Sequence, residues 1–209
     1  PDPRKSRDSA LAIGVPGTVA GLVLAHREFG SGRLSLAELI APAIALARDG
    51  IAIDDDTADS LPPVRERLAR WPASAKLFLR EDGGARRPGE ILVQADLAAT
   101  LEAIARDGES GFYDGAVAER LIEAIRAGGG IMTRDDLRSY RPIIRAPVRG
   151  TYRGHDIVAM PPPSSGGIVL VEALNILEGF PAGQVGARTA MSSQLLVEAM
   201  KHAYADRAF

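Results

Sequence analysis

The sequence predicts a helix-rich α+β fold, and three observations carry that reading. Apolar residues recur at helical spacing in a series of capped segments, giving a helical body over about residues 17–140. One convincing hairpin follows, a strand pair over about residues 146–160. Two long helical segments then fill about residues 166–209. No internal repeat, low-complexity tract or interdomain linker interrupts this order, so residues 1–209 read as a single partial domain.

The elements can be justified in order. Residues 1–8 are polar with no apolar core behind them, so no signal-peptide pattern is present. An extended piece ends at Pro16, and Gly17 or Thr18 opens a helix to about Phe29. Gly17, Ala20 and Gly21 would let that helix approach a neighbour closely, but the glycines match neither dinucleotide nor Walker spacing. Ser35 and Glu38 have capping-box spacing. Pro42 is expected to end that short helix and start another, which runs to Asp49 and stops at Gly50. Asp54, Asp55 and Asp56 precede the next helix. An acidic triplet could hold a divalent cation, but favourable charge at a helix N-terminus explains it more simply.

Pro62-Pro63 and Trp71-Pro72 predict a less regular segment, and Phe78, Leu79, Gly83-Gly84 and Pro88-Gly89 a short hairpin or looped ribbon. Residues 94–107 carry Leu97, Leu101 and Ile104 at helical spacing, closed by Gly108. Residues 115–127 repeat the pattern through Val117, Leu121, Ile122 and Ile125, and Gly128-Gly129-Gly130 ends it. Thr133 with Asp136 caps a further short helix. Strands over 147–152 and 155–159 turn at Arg153-Gly154. The last helix, about 189–209, carries Met191, Leu195, Ala199 and Tyr204 along a broad apolar side.

Between the hairpin and the last two helices lies the stretch that organises the chain, Met160-Pro161-Pro162-Pro163-Ser164-Ser165-Gly166-Gly167. Each proline fixes φ and drives its predecessor from the helical region, so an extended backbone is expected. At a strand-to-helix junction, hydroxyls and free N–H groups can face a ligand. A rigid turn with a serine N-cap accounts for the same residues. Ser164 and Ser165 lack the glycine spacing of a nucleophile elbow.

Composition excludes several classes. A net charge of −2 and 5% aromatic content argue against a nucleic-acid partner. The absence of cysteine excludes disulfides, thiolate zinc sites and cysteine nucleophiles. His26, His155 and His202 have no i, i+4 ligand partner, so no metal site is expected, and no cofactor motif is found. No run approaches the roughly 18 apolar residues of a membrane helix. No acid–base pair is evident, and residue chemistry alone leaves the function open.

Resemblance goes further. Residues 15–21 (Val-Pro-Gly-Thr-Val-Ala-Gly), 42–50 (Pro-Ala-Ile-Ala-Leu-Ala-Arg-Asp-Gly) and Tyr152-Arg153-Gly154 resemble segments of γ-glutamyltranspeptidases. So do residues 160–167 and 198–207 (Glu-Ala-Met-Lys-His-Ala-Tyr-Ala-Asp-Arg), in matching order, with Phe112-Tyr113 and residues 129–133 where expected. The likeness covers nearly the whole chain after about residue 10. It implies an N-terminal-nucleophile hydrolase with an αββα sandwich, of which this chain is a helix-rich fragment. It also implies an inactive precursor, a zymogen that cleaves itself into a large and a small subunit. The new N-terminal Thr would attack a γ-glutamyl amide, its own amine serving as base, and glycine N–H groups would stabilise the oxyanion.

The chain does not begin with Met and stops within a helical pattern, so it is expected to be a fragment, and the resemblance implies that it is the C-terminal portion of the large subunit. The nucleophile and oxyanion glycines are expected beyond Phe209, and the arginine that clasps the substrate carboxylate upstream of Pro1. No catalytic or substrate-binding residue is therefore assigned here. Ser164, Ser165, Gly166 and Gly167 are candidates for holding the active site from behind. The resemblance implies as partners the small-subunit portion of the same precursor and glutathione or other γ-glutamyl compounds. A relative with another amide substrate, an acylase or a capsule-type transpeptidase, is the alternative, and a non-catalytic helical interaction module is a third reading. Periplasmic or extracellular location is favoured by the resemblance, while zero cysteine also suits the cytoplasm. Faces that the parent would cover should be exposed, and self-association through them is expected.

Overall fold

The computed structural model describes residues 5–208; residues 1–4 of the polar start and Phe209 of the last helix lie outside the described residues. The chain falls into two compact units, residues 1–142 and 143–209. No described helix is long and apolar enough to cross a membrane.

The first unit is almost wholly helical. It contains α1 (Lys5–Asp8), α2 (Thr18–Phe29), α3 (Leu36–Asp49), β1 (Ile51–Ala52), α4 (Asp55–Ser60), α5 (Arg65–Ala69) and α6 (Pro72–Phe78). There follow β2 (Ile91–Leu92), α7 (Ala95–Asp107), α8 (Ser110–Tyr113), α9 (Gly115–Ala127) and α10 (Arg134–Ser139). Short 3-10 turns occupy Ala10–Ala12 and Pro62–Val64. Both predicted capping boxes form. Glu38 and Asp136 each accept from the hydroxyl and the backbone N–H of their N-cap residue, Ser35 and Thr133. Those hydrogen bonds hold both carboxyls below the usual carboxylate range.

Three expectations for this unit need correction. Pro42 does not divide α3, which runs unbroken from Leu36 to Asp49. Proline frees the carbonyl of Glu38, one turn back, but Glu38 and Pro42 are both exposed. Water can serve that carbonyl, and α3 is held by packing along α7. The segment marked by Pro62-Pro63 and Trp71-Pro72 is helical rather than irregular, because Pro62, Pro63 and Pro72 sit at the first positions of helical turns, where a missing N–H costs nothing. The pairing of β1 with β2, Ile51 opposite Leu92, was not anticipated, since two-residue strands carry no readable alternation. Gly50 permits it. Its φ is +88°, and an added Cβ would meet Ile91 Cγ2 at 2.5 Å. The ribbon expected near residues 78–89 reduces to one antiparallel bridge, Leu79 to Ala85.

The core of this unit joins Ala20, Tyr113, Ala118, Ile122, Ile125, Met132 and Leu137. The Tyr113 hydroxyl donates to the Pro16 carbonyl at 2.6 Å and accepts from the Ala20 N–H at 3.2 Å. One phenol thus fixes the start of α2 against α8, and its burial raises the phenol pKa. At the acidic triplet, Asp54 caps α4 by accepting from the Thr57 N–H at 2.7 Å.

The second unit contains β3 (Val148–Tyr152), β4 (His155–Ala159), α11 (Gly166–Glu178), α12 (Ala182–Val185) and α13 (Ala190–Arg207). β3 and β4 form the predicted antiparallel hairpin, with Val148 opposite Ala159 and Tyr152 opposite His155. Its two-residue turn places Arg153 at φ 50° and Gly154 at φ 81°, the twist that suits a tight hairpin. α11 packs on both strands and on α13. Gly150 allows the approach to β3, since a Cβ there would meet Val171 Cγ1 at 2.6 Å.

α11 and α13 meet through small residues, Ala173 against Ala199 and Ala203, with Val169, Ile176 and Leu177 around them. This corrects the predicted apolar side of the last helix. Ala199 is buried, but Met191 and Tyr204 are exposed. The small-residue seam brings the helix backbones close, and the larger side chains are left outside it.

Candidate functional site

The stretch 160–167 joins β4 to α11, as its sequence position implied. It is not extended throughout. The Ser164 N–H donates to the Pro161 carbonyl at 3.2 Å, so the prolines close a turn; the Pro162–Pro163 peptide within it is cis. Nor does a serine cap α11 through its side chain. Ser165 stands at the N-cap with φ −79° and ψ −13°, already helical, and its hydroxyl caps nothing. A capping serine needs an extended ψ to aim its oxygen at the first-turn N–H groups. The Ser164 hydroxyl oxygen instead accepts from the Gly166 N–H at 3.3 Å.

Gly167 is buried where α11 starts under the end of β4. A Cβ at Gly167 would lie 2.1 Å from the Met160 carbonyl oxygen and 3.0 Å from Ala159 Cβ. The glycine is therefore what lets strand, turn and helix fold onto each other. At Gly166 the nearest atom to an added Cβ is Ser164 Oγ, at 3.5 Å, so only the second glycine is sterically required.

Beside this turn is a recess of about 300 Å³. Pro162, Pro163, Ser164 and Ser165 form one wall, and Glu172 of α11 with Asp206 and Arg207 of α13 form another. The Glu172 carboxyl is pushed above its ordinary 4.5 by burial first, then by its hydrogen bond to the Asp206 carboxyl and the charge of Asp206. The charge of His202 acts the other way. Two carboxyl groups facing each other can share one proton, with one serving as donor and the other as acceptor.

No such pair was evident in the sequence, because Glu172 and Asp206 lie on different helices. A signal was nonetheless present. Glu172 is the one polar residue in the stretch 168–174 of the helix, beside the buried Ala173, where a lone carboxylate would need a partner. Among the three histidines, His155 begins β4, the His26 ring bonds the Leu34 carbonyl, and His202 lies near the carboxyl pair. Among the described residues, no cluster of three or more His, Cys, Asp or Glu side chains could hold a metal ion.

The pair has a pH signature. A carboxyl raised in the folded state binds its proton more tightly there than in the unfolded chain. Its contribution is therefore fully present below the ordinary carboxylate value and is lost as pH rises through the raised value. Melting temperatures from pH 3.5 to 7 should show this decline in the wild type, on top of the opposite trend from Glu38, Asp54 and Asp136, whose pKa values are lowered. Glu172→Gln keeps a hydrogen-bond donor toward Asp206 and should remove the decline. An unchanged pH profile in that variant would contradict the shared proton.

With this geometry in place, the chain can be set beside known proteins. The sequence profile described as Gamma-glutamyltranspeptidase matches residues 2–209. The glutathione hydrolase proenzyme of Escherichia coli (strain K12) is 42% identical over 207 residues, which are 99% of this chain and 35% of that protein. The acylase ACY 1 proenzyme of Pseudomonas sp. (strain SE83) is 40% identical over 205 residues, 98% of this chain and 36% of that protein. The crystal structure of Helicobacter pylori gamma-glutamyltranspeptidase superposes with a TM-score of 0.93 at 42% identity, over 99% of this chain and 58% of that one. The chain thus spans about a third of the length of these curated relatives.

Proposed function

The chain belongs to the γ-glutamyltranspeptidase family, and we propose that it serves as the C-terminal portion of the large subunit of a γ-glutamyltransferase or glutathione hydrolase. The observation that carries this reading is the agreement in shape and sequence over nearly all of the chain with a gamma-glutamyltranspeptidase. The parent protein would cleave γ-glutamyl amides, glutathione among them, through an acyl-enzyme on an N-terminal Thr that is not among these residues. Its partner would be the small-subunit portion of the same precursor. Exposed apolar residues in the second unit, Val158, Met160, Ile168 and Leu170, support such a partner, since large side chains left open on one unit favour burial against another surface. The same residues support self-association of the chain alone. The family favours a periplasmic or extracellular location, which cell fractionation would test.

The expected result is that the purified 209-residue chain shows no turnover of a γ-glutamyl anilide above a buffer blank. The self-processed parent should turn the same substrate over, and should prefer it to an acyl amide lacking the γ-glutamyl group. Preference for the second substrate would favour an acylase, a reading supported by the 40% identity to the Pseudomonas acylase proenzyme.

Ser164, Ser165, Gly166 and Gly167 would support the active site and take no part in its chemistry. The Ser164 hydroxyl oxygen accepts locally from the Gly166 N–H, and neither serine hydroxyl is hydrogen-bonded to a carboxylate or histidine among the described residues. In the parent, Ser164→Ala with Ser165→Ala should weaken self-processing while processed enzyme keeps most of its turnover. A fall of about three orders of magnitude with normal processing, the scale of losing a catalytic group, would make the serines part of the chemistry.

A further inference from the structure

We propose that the first unit holds a second binding site, for a small amphipathic carboxylate, in the recess walled by Trp71. The recess measures about 570 Å³, within the range that encloses small organic ligands. It lies among the N-terminal segment, the α5–α6 corner and α9, and its lining has two distinct characters. Ile13, Leu68, Leu121 and Ile125 supply an apolar surface. Trp71 adds an aromatic wall that is 45% exposed, and no cation sits over its ring among the described residues.

Three arginines, Arg7, Arg67 and Arg70, line the same recess, with Asp8 as its one acidic lining residue. None of the three takes part in an ion pair among the described residues, although eight other pairs form. Three arginines against one aspartate around an open apolar recess set up charge complementarity for an anion. The apolar and aromatic surface then selects an anion with a hydrocarbon body over inorganic phosphate or sulfate. This ligand chemistry is unrelated to the turn at residues 160–167, which belongs to the other unit.

Trp71 is the one tryptophan of the chain, so its emission reports on this recess alone. Titration of the full 209-residue chain with octanoate should shift Trp71 emission to shorter wavelength and protect it from acrylamide quenching, with saturation. High salt should weaken the binding, because exposed charges are screened. 1-Octanol, with the same body and no charge, should bind at least about tenfold more weakly and without salt dependence. Arg67→Gln with Arg70→Gln should lose octanoate binding about tenfold or more, whereas the pair Arg33→Gln with Arg87→Gln, exposed residues of the same unit that do not line the recess, should bind as wild type. All four arginines are exposed, so these variants should fold normally. Equal responses to octanoate and octanol, or no effect of the Arg67/Arg70 variant, would leave a bare apolar surface and overturn the proposal. So would Trp71 emission already blue-shifted and quencher-resistant before ligand is added, which would mean that the protein's own segments fill the recess.

Discussion

Gly167→Ala should destabilise the second unit by about 3 kcal/mol, the upper part of the usual range for forcing atoms into a packed site. The added methyl would sit 2.1 Å from the Met160 carbonyl oxygen and 3.0 Å from Ala159 Cβ. The oxygen belongs to backbone, and Ala159 has no longer side chain to swing aside. Relief would require α11, which packs on both strands and on α13, to move off the end of β4. At about 2–4 °C per kcal/mol for a chain of this size, the melting temperature should fall by roughly 6–12 °C. Gly166→Ala is the control. Its methyl meets only Ser164 Oγ, at 3.5 Å, so stability should stay within about 0.5 kcal/mol of wild type. Equal effects at the two glycines would show that the close approach at Gly167 is not what holds the turn. In the parent, Gly167→Ala should also reduce self-processing, since the turn it disrupts is the one proposed to support the active site.

The other large effect is expected at Leu137. It is the one large side chain fully buried among the described residues, at 0% exposure, and it packs in the cluster with Tyr113, Ile122, Ile125 and Met132. Leu137→Ala should cost about 2–5 kcal/mol, the sum of lost transfer energy and an unfilled cavity. Ile131→Ala, at 80% exposure, should change stability by less than about 0.5 kcal/mol. Urea denaturation would read both, with the slope unchanged if only the native state is affected. A loss below about 1 kcal/mol at Leu137 would mean that the short helix α10 collapses into the gap, or that it is not anchored there.

Local chemistry made much of this protein legible. Ser35 with Glu38 and Thr133 with Asp136 announced two helix starts, because a capping box is a contact between residues three apart and needs nothing from elsewhere. Gly108 and Gly128 marked helix ends for a similar reason, and Arg153-Gly154 marked the hairpin turn. The family likeness was likewise written in ordered motifs, and the profile match over residues 2–209 bears it out.

Tertiary structure decided what local pattern could not. Pro42 stays inside α3 because packing along α7 outweighs one missing hydrogen bond on the exposed side. The buried face of α13 runs through Ala199 and Ala203, because the seam with α11 rewards close backbone approach over side-chain size. The choice between Gly166 and Gly167 rests on where the Met160 carbonyl lies, and no residue type records that position. Glu172 and Asp206 become a pair only when two helices dock, as does the grouping of Arg7, Arg67, Arg70 and Trp71 around one recess. Caps, turns and motifs are interactions within a few residues, so the sequence determined them. The juxtaposed Glu172 and Asp206 carboxyls, the required glycine and the basic recess depend on distances across elements, and those are fixed only once the helices and strands have packed.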